Sequence, residues 1–271
     1  MRGDSRRHYD TVILELFNRV YQDHADQLPF TKDDVAAVCE DLGVTVRNIP
    51  NVIYTYRARS ELPAAIVGRG QWIIQGTGKG RYAFLRLDRP PHIEMPADLQ
   101  IIRILDSTPE IVLKHSGSDE QSLMAKIRYN RLIDIFLGIT AYQLQSHFRT
   151  TLDGIGQIEI DDLYLGVDTE GHQYVIPIEE KGPDPREKLG VAQVGWLAAL
   201  AHQQYPGLTA RPVGAKAWQD DSILLLEFTP HVDLDSIRVV KYKRYVLYHE
   251  EERHRGQTHQ TGLLERGRPV E

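Results

Sequence analysis

The sequence predicts an α/β protein in two parts. The first is a helical unit that ends in a β-hairpin, and the second is a larger core of helices and strands. Apolar residues recur with the helical period of about 3.6 in the N-terminal third, whereas runs rich in Ile, Val and Tyr dominate the second half. A proline-rich segment lies between the two parts. The predicted divisions are therefore the helical unit at 1–88, a semi-rigid linker at 89–98, the core at 99–248 and a polar tail at 249–271.

Three helices are predicted in the N-terminal part. The first covers about 9–21, and the third runs from about 48 to 59 with Pro50 in its first turn. The second begins at Thr31, whose hydroxyl can accept a hydrogen bond from a free N–H of the first turn. It ends at Gly43, because glycine readily adopts the left-handed conformation that closes a helix.

Two strand-like runs follow, at 71–75 and 81–85, and the glycine-rich turn 76–80 joins them. Three helices followed by a hairpin resemble a winged-helix domain. The resemblance implies that the third helix enters the major groove of duplex DNA and that the hairpin lies along the backbone. The DNA contacts implied in this way are Asn51, Tyr54, Thr55, Arg57, Arg59, Lys79 and Arg81. Because winged helices also serve as protein-interaction modules, the alternative is that this part of the chain binds another protein.

Charge is unevenly distributed along the chain. The formal net charge is −6, which alone would disfavour binding to a polyanion. Between residues 44 and 86, however, seven Lys and Arg residues face a single acid, Glu61. Phosphate affinity depends on such a local cluster more than on the sum over the chain, so this segment favours contact with nucleic acid.

The C-terminal part shows the order helix, strands, helix, strands that is expected of an α/β core. The predicted elements are short strands at 99–105 and 110–114, helices at 118–138 and 142–148, an acidic hairpin, a helix at 188–202, and strands at 210–218, 222–228 and 236–248.

Within the acidic hairpin, carboxylates interrupt two strand-like runs and a lysine closes the second. Strand side chains alternate between faces, so Glu159 shares a face with Asp161, and Glu179 shares one with Lys181. If the strands pair, these groups converge, and oxygen ligands of this kind suit Mg²⁺. The simpler interpretation is a solvated strand face, but the apolar residues at alternate positions oppose it.

The run Glu159-Ile160-Asp161, a turn and an apolar run ending in Glu179-Glu180-Lys181 resemble the PD-(D/E)XK nuclease superfamily. The resemblance implies a restriction-endonuclease-like α/β core with a central mixed sheet. In it Asp161 and Glu179 hold the metal together with the backbone carbonyl of Glu180, and Lys181 attends the attacking water.

The chain departs from the superfamily pattern at Ile160, which stands where the proline that names the motif would be. Asp162 competes with Asp161 for the role of first acid, although it points to the opposite face. Glu159 is either an additional ligand or a supporting group.

Three further positions flank this motif. Some branches of the superfamily carry a glutamine on the helix after the lysine strand, and Gln193 matches it in position. Its alternative is an ordinary polar residue at a helix border. Arg149, with Thr150 and Thr151, precedes the first acidic strand, where these side chains either touch a phosphate or, for the threonines, cap local backbone.

Together these resemblances imply a Mg²⁺-dependent endonuclease that cuts double-stranded DNA, with Mn²⁺ as a substitute ion. A type II restriction enzyme is the most specific expectation. A homodimer is also expected, because one centre per chain cannot cut both strands at once. The alternatives are a repair, recombination or modified-DNA-directed nuclease of the same superfamily, and a non-catalytic winged-helix regulator.

Several classes of protein are disfavoured by composition. The single cysteine, Cys39, excludes disulfides and cysteine-based zinc sites within one chain. No apolar run is long enough to span a membrane. The first residues lack the apolar centre of a secretory signal, so a cytoplasmic location is expected. His249, His254 and His259 recur at a spacing that does not align on one helix face, so they predict a solvated tail.

Overall fold

The computed structural model describes residues 2–46, 48–96, 99–116 and 120–249 of the chain. They form a mixed α/β protein with one small and one large sheet, which confirms the predicted class. In these residues, none of the helices combines the length and the apolar character that crossing a membrane requires.

The described residues of the N-terminal part form four helices and a three-stranded antiparallel sheet of order β1-β3-β2. Its elements are α1 (Arg2–Val20), β1 (Gln27–Thr31), α2 (Lys32–Asp41), α3 (Ile49–Tyr54), α4 (Ala64–Val67), β2 (Gln71–Gly78) and β3 (Arg81–Leu87). A π-helical turn, Thr55–Arg59, continues α3. The predicted hairpin is β2 with β3. The sequence analysis missed β1, a short strand interrupted by Pro29 that depends on its pairing with β3.

Local sequence explains the helix boundaries in this part. The Thr31 hydroxyl accepts the N–H of Asp34 at 3.2 Å, and the Asp34 carboxylate accepts the N–H of Thr31 at 2.7 Å, so the two residues form a reciprocal cap on α2. The Asn48 side chain caps α3 by accepting the N–H of Asn51 at 3.3 Å, and Pro50 lies in the first turn. Gly43 follows α2 with a left-handed φ of 65°.

The large sheet has the strand order β4-β11-β10-β9-β7-β6-β5, with the short β8 beside β7. Its strands are β4 (Ile101–Leu105), β5 (Thr140–Leu152), β6 (Gly156–Val167), β7 (Gln173–Lys181), β8 (Thr209–Ala210), β9 (Val213–Ala217), β10 (Ile223–Phe228) and β11 (Val239–Tyr248). β7 runs parallel to β8 and β9, and β11 runs parallel to β4. The other neighbouring pairs are antiparallel, so the sheet is mixed.

Helices cover both faces of this sheet. Its helical elements are α5 (Glu110–His115), α6 (Glu120–Tyr129), α7 (Leu132–Leu137), α8 (Val191–Gln204) and a 3₁₀ turn at Leu234–Ser236. α8, buried along Val191 to Ala201, packs on one face, and α6 and α7 pack on the other. The α8 cluster also takes in Ile73 and Leu87 of the N-terminal part, so one apolar core joins the two parts.

Three predicted elements of the core are wrong. Residues 142–148 are not a helix but lie in β5, where pairing along β6 satisfies the backbone and leaves Tyr142 and Leu144 exposed. Residues 110–114 are not a strand but the first turns of α5, which starts directly after Pro109.

The third error is the single helix predicted at 118–138. It is divided into α6 and α7 because Arg131 adopts a left-handed φ of 50°. Beside it, the Asn130 amide donates to the Asp106 carboxylate and to the Thr108 hydroxyl, both at 3.0 Å. The expected cap at Ser118 and Asp119 lies outside the described residues.

The proline-rich segment is anchored to the core. The Pro91 carbonyl accepts the N–H of Val191 at 2.9 Å, and the Ile93 N–H donates to the Leu189 carbonyl at 2.8 Å. The segment therefore fixes the start of α8 against the N-terminal part. Residues 97–98 and 250–271, which include His254 and His259, lie outside the described residues.

Candidate active site

The predicted carboxylates meet where β6 and β7 stop pairing. The ladder between these strands ends at Asp162 and Ile178, so the next step of the same register sets Asp161 opposite Glu179 on one face. There the Asp161 carboxylate accepts the N–H of Glu180 at 2.6 Å. A hydrogen bond to a side chain thus takes the place of the backbone–backbone hydrogen bonds where the two strands separate.

The Glu179 carboxylate is nearly buried, with 4% of the residue exposed. Its Oε1 accepts a hydrogen bond from Nζ of Lys181 at 2.6 Å and another from the amide of Gln193. A buried carboxylate needs such partners to offset its desolvation. The structure therefore brings together Glu179, Lys181 and Gln193, residues that come from β7 and α8.

Gln193 has two contacts at the start of α8. Its Oε1 accepts the N–H of Gly190 at 3.2 Å, which caps the helix, while its Nε2 donates to Glu179. The side chain is 7% exposed. Gln193 therefore links the helix start to the carboxylate, which distinguishes it from an ordinary residue at a helix border.

Glu180 directs its side chain to the opposite, fully buried face of β7. Its N–H points toward Asp161. In a strand, the N–H and C=O of one residue point to the same side, so the Glu180 carbonyl also faces Asp161. This geometry suits the expected use of the backbone carbonyl, and not the carboxylate, as a ligand.

Asp162 does not compete for the role of first acid. It is fully buried under α6, where its Oδ1 accepts hydrogen bonds from the Gln143 amide and the Ser146 hydroxyl, each at 2.7 Å. The Arg128 guanidinium lies 3.7 Å from its Oδ2. Burial raises the pKa of Asp162. These contacts tie Asp162 to the back of the sheet.

Burial also raises the pKa of Asp161, and the Glu180 N–H, Lys181 and His147 act in the opposite direction. Perturbed pKa values of this kind cluster at functional sites. The donors facing this corner are the Asp161 and Glu179 carboxylates and the Glu180 carbonyl. All three are hard oxygens, which is the donor chemistry that Mg²⁺ prefers, so the residues fit the expected ion.

Glu159 points along the same face but toward β5. Its Oε2 accepts Nε of Arg149 at 2.9 Å, and its Oε1 lies 3.8 Å from Nδ1 of His147. This position suits a supporting group that holds Arg149.

The Thr150 hydroxyl accepts a hydrogen bond from the amide of Gln204, whereas Thr151 is exposed. Across the described residues, no three or more His, Cys, Asp or Glu side chains are grouped so as to hold a metal ion.

Sequence analysis missed His147. The register of β5 with β6 sets it opposite Asp161, between the pairs Ser146–Asp162 and Phe148–Ile160. Its φ is 50°, a left-handed conformation that a non-glycine residue seldom adopts inside a strand, and its side chain is 53% exposed. Strained residues of this kind cluster at functional sites. The helix predicted at 142–148 concealed the cross-strand pairing that would have identified it.

Lys216 was also missed. It lies beside Lys181 in the parallel register of β7 and β9, and it is 8% exposed. Its ammonium donates to the carbonyls of Gly182 and Asp184, the latter at 2.8 Å. Burial lowers the pKa of Lys216. The residue thereby fixes the chain that leaves β7 directly after the candidate site.

Arg57 is not an outward DNA-contacting residue. Its guanidinium donates to the carbonyls of Ile155 and Gln157, each at 3.0 Å, and stacks 4.6 Å from the ring centroid of Trp196. Burial lowers its pKa. The β2–β3 hairpin approaches the β5–β6 turn so closely that a Cβ on Gly76 would lie 1.9 Å from the Ile155 carbonyl oxygen. Arg57 therefore supplies donors to this turn and fastens the two parts together.

The other expected DNA contacts are distributed over the N-terminal part. Asn51, Lys79 and Arg81 are exposed, whereas Tyr54 and Thr55 are half-buried. The Asn51 amide donates to the Tyr9 hydroxyl at 3.3 Å. Arg149 is exposed on β5, and the side chain of Arg59 lies outside the described residues.

Comparisons with protein-family models, with curated proteins and with solved structures gave no significant match.

Proposed function

We propose that the protein is a Mg²⁺-dependent endonuclease of the PD-(D/E)XK type that hydrolyses phosphodiester bonds of double-stranded DNA. The observation that carries the proposal is the meeting of Asp161, Glu179 and Lys181 on one face where β6 and β7 diverge. Carboxylates alone would suit many cation sites. The lysine and the bracing Gln193 favour phosphoryl chemistry over simple ion binding.

Asp161, Glu179 and the carbonyl of Glu180 would hold the ion. Magnesium bound there would neutralise charge on the phosphate and lower the pKa of a bound water. Mn²⁺ accepts the same oxygen ligands and is expected to substitute.

The protein's own groups have separate roles. Lys181, at 2.6 Å from Glu179, would donate a hydrogen bond to the attacking water and stabilise the negative charge that develops at the phosphate. Gln193 would keep the Glu179 carboxylate oriented through its amide. His147 and Arg149, exposed on the neighbouring strand, would contact phosphate oxygens.

The N-terminal part would hold the duplex as a winged helix. Its order of helices and strands, with α2 and α3 before the β2–β3 hairpin, supports this assignment. Exposed Asn51 would face the groove, and Lys79 and Arg81 on the hairpin would contact the backbone. Because Arg57 fastens this unit to the core, the bound duplex would be presented at a fixed position relative to the cutting site.

A type II restriction enzyme that acts as a homodimer is the most specific form of the proposal. Two chains related by a twofold axis would provide two centres, one for each strand. Sedimentation of the protein with and without a cleavable duplex tests this point, and a monomer in both cases would contradict it.

Plasmid cleavage tests the reaction itself. Purified protein with Mg²⁺ is expected to nick or cut plasmid DNA, and Asp161→Ala, Glu179→Ala and Lys181→Ala are expected to lose cleavage yet keep DNA binding. Glu170→Ala is a matched control, because Glu170 is an exposed acid in the turn of the same hairpin. If the three site variants cut as well as the control, the assignment of the site is wrong. DNA binding without any cleavage would favour a regulator.

A further inference from the structure

A cavity of about 550 Å³ lies between the N-terminal part and the start of α8. Residues of the π-helical turn and of β2 form one side of it. The chain that follows β7 and the first turn of α8 form the other. Its volume lies within the range typical of single-ligand sites, and such sites are common where two structural units meet.

The cavity borders the candidate active site. Lys181 and Gln193, both of which contact Glu179, belong to its lining. A nucleotide group bound in the cavity would therefore lie next to a phosphate held at Asp161 and Glu179. The cavity is thus an extension of the cutting site.

The lining combines apolar walls with polar side chains that have hydrogen-bonding capacity. Leu62, Val67 and Ala192 contribute apolar surface. Ser60, which is half-buried, and Gln71, which is exposed, also line it, together with charged side chains that include Arg186 and Glu187. Apolar walls with a few polar groups are suited to a flat heteroaromatic ring with polar edges.

The two sides of the cavity are held in place without a ligand. Lys188 and Glu61, one from each part, form an ion pair at 2.9 Å across the rim. The backbone of Ile93 is bonded to that of Leu189 nearby. Because the walls are fixed, binding would not need to order them first.

We infer that this cavity accepts a single nucleobase turned out of the DNA duplex, next to the phosphate that is cut. The inference rests on the proposed function and specifies its substrate: DNA in which one nucleotide is everted during binding. The everted base would lie between the apolar walls, with Ser60 and Gln71 at its polar edge. Its own phosphate would remain near Lys181.

Fluorescence of 2-aminopurine tests the inference, because this base brightens when it leaves the stack. The bound site is first located by footprinting with the Asp161→Asn variant, and duplexes are then made with 2-aminopurine at each position of that site. Binding of the Asp161→Asn variant, which should not cut, is expected to give a several-fold rise in fluorescence at one position only. The flanking positions should stay dark.

A substitution that fills the cavity provides the decisive test. Val67 is 44% exposed on α4, so Val67→Trp can narrow the cavity without disturbing the core. In the Asp161→Asn background it is expected to abolish the fluorescence rise, and alone it should reduce cleavage. Ile135→Trp is the matched control, since Ile135 is 51% exposed on α7 and does not line the cavity. It should preserve both signals.

The outcomes separate the two proposals. Cleavage that depends on Asp161, without any fluorescence rise and with full activity in Val67→Trp, would overturn the inference and leave the nuclease assignment in place. A rise that depends on an open cavity, with no cleavage by wild type, would support base eversion and contradict the nuclease assignment. Absence of any DNA binding would overturn both.

Discussion

Gln193 donates through its amide to the carboxylate of Glu179 and accepts the N–H of Gly190 through its carbonyl oxygen. One side chain thus caps α8 and braces the acid at the end of β7. Because both contacts are nearly buried, the position of the helix and the orientation of the carboxylate are coupled.

Gln193→Met keeps the approximate volume of the side chain and removes both hydrogen bonds. It is expected to lower the free energy of unfolding by about 1–3 kcal/mol, because a buried carboxylate and a helix N–H lose partners. Cleavage should fall by about 10- to 100-fold through misorientation of Glu179. Urea denaturation and plasmid cleavage measure the two effects.

Gln203→Met provides the control for this change. Gln203 lies on the same helix, and its amide contacts the backbone of Asp153 and not the candidate site. The control should cut DNA at the wild-type rate. Equal loss of cleavage in both variants would show that Gln193 has no special relation to the site.

The strained backbone at His147 leads to a comparison of two substitutions. Both His147→Ala and His147→Gly remove the imidazole, but only glycine adopts a φ of 50° without steric cost. The glycine variant is therefore expected to be more stable than the alanine variant by about 1 kcal/mol. Denaturation midpoints of the two proteins measure this difference.

The same pair of variants tests the role of the imidazole. If His147 contacts the substrate, both variants should lose cleavage to the same extent, although their stabilities differ. Wild-type cleavage by either one would contradict a contact with DNA. Equal stability of the two would contradict the left-handed backbone.

The acidic hairpin was predictable because its strands carry their own alternation. Ile158 and Ile160 pack in the cluster that contains α8, and Ile176 and Ile178 pack in the cluster that contains α6 and α7, so a strand slipped by one residue would move these side chains to the other face. The convergence of Asp161 with Glu179 follows from that register. The expected meeting of these two residues therefore agreed with the structure, because the alternation within each strand leaves a single register.

The strand β5 was not predictable in this way. As an edge strand it leaves Tyr142 and Leu144 exposed, so its apolar pattern does not report which face is buried. Only pairing with β6 defines it, and that pairing positions His147. Likewise, the outward direction expected of Arg57 depended on the helix alone, whereas the approach of the β5–β6 turn decides it.

The ion pair between Asp184 and Arg186, in the loop after β7, should make the free energy of unfolding depend on pH. The Arg186 guanidinium holds the pKa of Asp184 at about 2, well below the value near 3.9 that is usual for aspartate. A carboxyl with a lowered pKa stabilises the folded state above its unfolded pKa, and this contribution is lost as pH falls through the folded value. Asp184→Asn is therefore expected to reduce stability at neutral pH.

The difference between wild type and Asp184→Asn should shrink as pH falls from about 4 to 2, because both states of the wild type become protonated there. Urea denaturation over this range measures it. Asp153→Asn, which changes an exposed aspartate in the β5–β6 turn, is the control and should show no such trend. A difference that stays constant with pH would contradict the pairing of Asp184 with Arg186.

Arg57 and Lys79 are expected to have different roles, Arg57 as a structural cation and Lys79 as a phosphate-binding one. Lys79 is exposed on the β2–β3 turn, whereas Arg57 bonds two backbone carbonyls of the core. Lys79→Ala is expected to weaken DNA binding and to reduce the slope of log affinity against log salt by about 1, since one phosphate contact releases about one counterion.

Arg57→Met should leave that slope unchanged. It should instead lower the free energy of unfolding by about 1–3 kcal/mol, because the Ile155 and Gln157 carbonyls lose their donor. Fluorescence anisotropy across a salt series and urea denaturation measure the two quantities on the same proteins. A reduced slope in Arg57→Met would mean that this guanidinium leaves the core to contact DNA, which its position over Trp196 opposes.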